Sequence, residues 1–205
     1  MIVIIDYGMG NLGSVLKAFK NNNIEAIISK SIHDIETAKK LVLPGVGHFA
    51  NGMKKLNEYN YIDILNKKVL NDGTPILGIC LGMQLFAKFS KEGNVSGLNW
   101  IDANVEKFNV SDKLKWKVPH IGWNSIKIHQ VNNLLLNGIS DNELFYFVHS
   151  YHMSCNNSNN IISTSMYSHE FVSSVSERNI YGTQFHPEKS HNEGWKIIKN
   201  FANKI

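Results

Sequence analysis

Arginine is nearly missing from this sequence: Arg178 is the only one, and lysine carries the rest of the positive charge. A surface that reads phosphates usually clusters arginines for bidentate contacts, so the net charge of +4 does not point to nucleic acid. Cysteine is almost as scarce, with Cys80 and Cys155 alone and neither in a Cys-x-x-Cys pair, which argues against a zinc ribbon or a disulfide framework. No apolar run approaches the ~18 residues that suggest a membrane span. The first residues, Met1-Ile2-Val3-Ile4-Ile5-Asp6, lack the basic start and cleavage site of a secretory signal. A reducing cytoplasm, without membrane attachment, is the expected home, and it suits a free thiol. Proline is rare, and no Pro- or Ser-rich linker or internal repeat divides the chain. With 205 residues, 43% of them hydrophobic, the expectation is a single domain over 1–205 with a substantial core.

The first half alternates strands and helices. Met1–Asp6 reads as a buried strand, and Asn11 caps a helix with Leu12, Val15, Leu16 and Phe19 on one face. Strands follow at 24–29, 41–43 and 76–79, with helical patterns at 49–56 and 61–70 between the last two. Strands separated by helices imply parallel pairing, so the expected fold class is α/β, a three-layer sandwich around a doubly wound, mostly parallel sheet. After Gly97 the pattern changes to short strands at 103–108, 125–129, 144–148, 161–167, 171–177 and 181–185, which read as antiparallel additions. A final helix is expected at 193–204.

Gly78-Ile79-Cys80-Leu81-Gly82 closes one of these strands and precedes a helical pattern over 83–89. A lone cysteine is ordinarily a small buried hydrophobe. Here two flanking glycines allow a sharp strand-to-helix turn that lifts the sulfur above the carboxyl end of the strand, and the amino end of a helix favours its ionised form. Cys80 is therefore the candidate nucleophile; Cys155 lacks any such setting. A thiol nucleophile needs a base. Among nine histidines, His186 stands out, in His186-Pro187-Glu188 at the end of a strand. Residues i and i+2 of an extended chain share a face, so Glu188 is expected beside the imidazole as its orienting group. His149, His152 and His191 are the rivals for base. No two histidines form an i, i+4 pair on an evident helix, and neither a metal nor another cofactor is expected. Pro44-Gly45-Val46-Gly47 leaves its strand on the same side as Cys80. It reads either as a plain tight turn or as a source of backbone N–H groups for an oxyanion.

These pieces, in this order, resemble the class I (triad-type) glutamine amidotransferases. Gly78-Ile79-Cys80-Leu81-Gly82-Met83-Gln84 is similar to their nucleophile motif, and Gln184-Phe185-His186-Pro187-Glu188 to their histidine–glutamate motif. Asp6-Tyr7-Gly8-Met9-Gly10-Asn11-Leu12, Leu43-Pro44-Gly45-Val46-Gly47, Pro119-His120-Ile121-Gly122-Trp123-Asn124 and Tyr146-Phe147-Val148-His149-Ser150-Tyr151 extend the likeness over essentially the whole chain. Together with Met83, where relatives serving other synthases have His, they point to the glutaminase subunits that feed a cyclase in histidine biosynthesis.

The resemblance implies that Cys80 attacks the side-chain amide of L-glutamine, that His186 carries protons and that Glu188 orients it. Backbone groups of Val46, Gly47 and Leu81 would stabilise the oxyanion. Gly47, Gln84, Glu92, Ser150 and Tyr151 would hold the glutamine, Glu92 through its α-amino group. Asn11, Trp123 and Lys189 would face the partner, a (β/α)8-barrel cyclase subunit, in a heterodimer. Two positions depart from the pattern: Ile121 stands where Met is common, and Lys91 where an acidic residue often precedes Glu92. The alternative within the family is a paralogue that supplies ammonia to an enzyme modifying surface sugars. Outside the family stand a free-acting cysteine peptidase or γ-glutamyl hydrolase and a scaffold whose site has decayed.

Overall fold

A computed structural model describes residues 1–112 and 114–205. Strand β1 (Ile2–Ile5) leads to helix α1 (Leu12–Asn21), and β2 (Ala26–Ser29) to α2 (Ile32–Thr37). Next come β3 (Lys40–Gly45), α3 (Phe49–Glu58) and α4 (Tyr61–Asn66), which runs on as a wider π turn over Lys67–Asn71. Strand β4 (Ile76–Cys80) passes into the single helical turn α5 (Leu81–Gln84). The second half is mostly strand: β5 (Ala87–Ser90), β6 (Val95–Ser96), β7 (Ile101–Lys107), β8 (His120–Ser125), β9 (Lys127–Ile128), β10 (Leu144–His149), β11 (Tyr151–Cys155), β12 (Ile161–Tyr167), β13 (His169–Glu177) and β14 (Ile180–Thr183). The last element is α6 (His191–Lys204).

Eight strands form the central sheet in the order β2-β1-β3-β4-β14-β13-β12-β9. The pairs from β2 to β14 are parallel, and those from β14 outward through β13 and β12 to β9 are antiparallel. The mostly parallel α/β sheet with antiparallel additions expected above is thus the observed fold. Alternation along the strands sorts side chains into two cores. Val3, Ile5, Leu41 and Leu43 pack on one face with α3 and α4 residues such as Leu56 and Leu65; Ile2, Ile4, Val42, Leu77 and Ile79 pack on the other with Phe19 of α1 and Ile198 and Phe201 of α6. None of the helices among the described residues is long and apolar enough to cross a membrane.

Three expectations are corrected. The helical pattern over 83–89 gives only the turn α5, after which the chain enters β5. Leu85, Phe86 and Ala87 are all fully buried, and an apolar run buried on every side carries no helical period. Backbone bonds from Leu98 to Leu85 and from Trp100 to Phe86 (2.8 and 2.9 Å) hold this stretch extended. Second, β5, β6, β7 and β11 build a separate four-stranded sheet, while β8 and β10 pair only with each other, so several late strands are not additions to the central sheet. Third, β14, read among the antiparallel additions, runs parallel to β4. That direction decides the site, because it puts the ends of β4 and β14 at the same edge.

Candidate active site

Thr183 of β14 lies opposite Ile79 of β4, so the next residues of two adjacent parallel strands, Gln184 and Cys80, emerge side by side. Cys80 sits at φ +53°, ψ −108°, a strained conformation for a residue with a side chain. Its flanking glycines permit this elbow. A Cβ on Gly82 would stand 1.7 Å from the Leu43 carbonyl oxygen, and one on Gly78 would stand 2.7 Å from the Met83 backbone nitrogen. Because α5 is a single turn, the helix dipole behind the sulfur is much smaller than the sequence pattern suggested.

His186 follows β14 in extended conformation, its N–H bonded to the Tyr146 carbonyl at 2.9 Å. Pro187–Lys189 then form a 3-10 turn. That turn, rather than the extended i, i+2 spacing anticipated from the sequence, returns the Glu188 carboxylate to the ring. Nδ1 of His186 donates to Glu188 Oε1 at 2.7 Å, both side chains being 2% exposed. The Ser190 hydroxyl fixes the turn by donating to the His186 carbonyl at 2.6 Å and accepting from Tyr146 N at 3.0 Å. With Nδ1 committed to the carboxylate, Nε2 is the nitrogen left for chemistry, and it makes no hydrogen bond of full geometry among the described residues. Its charge is nevertheless influenced by the neighbouring Cys80 sulfur. Burial disfavours the imidazolium, but the negative charge of an ionised Cys80, the pull of its sulfur on the ring proton, and Glu188 together hold His186 up at about 10.

A cavity of about 300 Å³ opens over this elbow, lined by Cys80, Leu81, Val46, Gly47, Gln84, Glu92, Ser150 and Tyr151 among others. Every residue expected to touch the oxyanion or the glutamine thus borders one space. Gly47 takes φ +108°, and Val46 is 40% exposed. Gln84 is buried, its Nε2 donating to the Tyr151 carbonyl and to Gln184 Oε1, both at 2.9 Å. Glu92 Oε2 accepts from Phe49 N at 2.8 Å, which anchors the carboxylate at the start of α3.

The three residues assigned to a partner surface lie outside the cavity or at its rim. Trp123, 44% exposed, stacks on His191 with ring centroids 4.9 Å apart and planes 9° from parallel. Lys189 lines the cavity and places its ammonium over the Tyr146 ring, and Tyr146 is paired with Trp123 across β8 and β10. Asn11 caps α1 by accepting from Ser14 N at 3.3 Å. Of the rival histidines, His149 borders the cavity but is committed to the Tyr151 carbonyl at 2.7 Å; burial, partly opposed by that bond, pushes it down to about 3. His152 packs on Phe108, and His191 lies under Trp123. Two contacts to the sulfur were not assigned from the sequence: the Val148 carbonyl at 3.9 Å and the Gln184 amide nitrogen at 3.6 Å. Gln184 stands in the quoted His186 motif, which was the one available signal.

The fold, the elbow and the buried histidine–carboxylate pair define an α/β scaffold with a cysteine as its candidate nucleophile. The family model for glutamine amidotransferase class-I matches residues 3–205, and the chain belongs to that family. Within it, the chain is 50% identical over 201 residues to imidazole glycerol phosphate synthase subunit HisH 2 of Methanococcus maripaludis, covering 98% of each chain. It is 43% identical to the HisH subunit of Leptospira interrogans (98% and 99% covered) and 45% identical to HisH 1 of Campylobacter jejuni (98% and 99%). Among solved structures, one glutamine amidotransferase superposes with a TM-score of 0.74 at 18% identity, covering 98% of this chain and 97% of that one. Another, from Thermotoga maritima, gives 0.67 at 18% identity, with 99% and 82% covered. Likeness at that identity bears on the fold alone.

Proposed function

We propose that residues 1–205 act as a single glutamine amidotransferase domain, the glutaminase subunit of imidazole glycerol phosphate synthase, which passes ammonia to a (β/α)8-barrel cyclase in histidine biosynthesis. The observation that carries the chemistry is that Cys80, which lines the cavity, lies against His186, whose ring is in turn hydrogen-bonded to the buried Glu188. The choice of pathway rests on relatives 43–50% identical along nearly their whole length, each named as a subunit of imidazole glycerol phosphate synthase.

Glutamine binds with its α-ammonium against Glu92 and its side-chain amide over Cys80. Both Nε2 protons of Gln84 are engaged, so Gln84 meets substrate through Oε1, an acceptor suited to the same ammonium. The thiolate attacks the amide carbon; a C–S bond forms and the carbonyl electrons move onto oxygen. Backbone N–H groups of Leu81 and the Val46–Gly47 loop receive that charge. When the carbonyl reforms, the C–N bond breaks, and its electron pair leaves with the nitrogen, which takes the proton held at His186 Nε2. Ammonia departs, and a γ-glutamyl thioester remains. Water then attacks the thioester carbon, giving a proton to His186, and the second tetrahedral species expels the thiolate and releases glutamate. Glu188 keeps the ring in one tautomer throughout.

Ammonia freed into neutral water would protonate and lose its nucleophilicity, so a tight complex with the ammonia-using enzyme is part of the function. The exposed Ile121 and Trp123, paired across β8 and β10 with the cavity-lining Val148 and with Tyr146, supply an apolar surface for it. The test is Cys80→Ala assembled with the cyclase. Glutamine-dependent synthesis should be lost and ammonia-dependent synthesis should continue; retained glutamine hydrolysis would mean that the nucleophile is another residue.

A further inference from the structure

The polarity of one buried hydrogen-bond chain can be worked out from atoms whose roles are fixed. A backbone carbonyl only accepts, so at the Tyr151 oxygen the neighbouring Gln84 atom, 2.9 Å away, must be its NH2 nitrogen. The second proton of that nitrogen goes to Gln184 at 2.9 Å, which must therefore present Oε1. The other end of the Gln184 amide is then a donor, and it lies 3.6 Å from Cys80 Sγ. Turning Gln84 over would set two acceptors against each other, and turning Gln184 over would set two donors against each other, in a buried space.

The same carbonyl orders the chain in the opposite direction. His149 Nδ1, 2.7 Å away, must carry a proton for Tyr151 O. Its Nε2 therefore accepts, and His120 Nδ1 at 3.2 Å donates. His120 Nε2 accepts in turn from Asn124 Nδ2 at 3.4 Å. Asn124 is oriented independently: its Oδ1 accepts from Ser125 N at 2.8 Å, and its Nδ2 donates to the Met166 carbonyl at 3.0 Å. Two separate anchors thus agree on one direction. Burial holds both histidines well below their ordinary range, at about 4 and about 3, so neither acquires a charge near neutral pH that would reverse it.

We propose that Gln184 is a further catalytic residue: its Nε2–H donates to the Cys80 sulfur and stabilises the ionised form that attacks glutamine and is expelled from the thioester. The inference rests on Cys80 being the nucleophile. Gln184 is fully buried, and a donor held against a charged sulfur where little water competes favours the charged form. It acts beside His186, which faces the same sulfur but gives up its proton during the reaction. Gln184 does not lose its proton, so it supports the thiolate at both ends of the cycle.

The test compares the pH dependence of Cys80 alkylation by iodoacetamide, located by peptide mass spectrometry on the full chain, in wild type, Gln184→Met and Gln184→Glu. Loss of the donor should slow alkylation at pH 7 roughly tenfold or more and move its midpoint to higher pH. Gln184→Glu keeps an acceptor for Gln84 and should shift the midpoint further, lowering kcat with the cyclase present while KM changes by less than about threefold. Superimposable alkylation profiles in the folded variants would overturn the proposal. If neither variant folds, wild type decides by NMR: the Gln184 side-chain amide proton should move with the same midpoint as Cys80 ionisation, and an amide indifferent to it contradicts the proposal. Glutamine turnover by Cys80→Ala would instead sink the reading of the nucleophile, while the Gln184–sulfur bond would still be observable in the wild type.

Discussion

At the scale of single residues, the site is a set of mutual dependences around one sulfur. His186 illustrates the balance. Burial alone would make it neutral, yet the charge and proximity of Cys80 and the carboxylate of Glu188 hold it at about 10. A histidine whose pKa is raised by folding contributes stability that is complete below its unfolded value of ~6.5 and is lost as pH rises through about 10. Cys80→Ala removes the thiolate and leaves burial opposed by Glu188 alone, so the His186 pKa should fall by more than about one unit. Ring-nitrogen NMR titration of the two proteins measures this; an unchanged His186 would show that the sulfur does not set its charge. The Cys80 elbow and the His186 motif were legible because their residue types and glycine spacing are local. The role of Gln184 was not, because an amide's donor and acceptor ends are told apart only by the neighbours that fix it.

Secondary elements decide whether those residues meet. Parallel pairing of β4 and β14 brings Cys80 and the His186 segment to one edge, and the α5 turn must pass close to β3. Gly82 is the point of closest approach: Gly82→Ala would press a methyl group into the Leu43 carbonyl. A backbone cannot yield as a side chain can, so the substitution should cost at least about 3 kcal/mol and be seen as a large fall in Tm or loss of soluble protein. Gly13, on the exposed face of α1, has no atom within 4 Å of a built Cβ. Gly13→Ala should stabilise by roughly 0.5–1 kcal/mol through helix propensity, a small rise in Tm. Equal effects of the two would contradict this account of the elbow. Strands of the first half were legible as apolar runs punctuated by turn residues. The four-stranded sheet of β5, β6, β7 and β11 was not, since two of its strands have four residues or fewer and the run leading into β5 is buried all round. The direction of β14 was equally hidden, because it depends on which neighbour the strand finds.

For the whole molecule, two cores enclose the central sheet, while the β8–β10 ribbon carries apolar side chains into solvent beside the cavity. Ile121 is 61% exposed and Trp123 44%. Large side chains held in the open by stacking and pairing suit a protein interface better than a core. Trp123→Ala should therefore weaken association with the proposed cyclase partner by roughly tenfold or more and shift the Tm of the free chain only slightly. Titration calorimetry and thermal unfolding separate the two effects, and loss of stability without loss of affinity would make Trp123 a packing residue. The central claim, that Cys80 becomes covalently bonded to substrate, is tested most directly by acid-quenching the complex during glutamine turnover and mapping the trapped adduct by mass spectrometry. A γ-glutamyl group on the Cys80 peptide is the predicted result. Steady turnover with that peptide unmodified and the group found on Cys155 would contradict it.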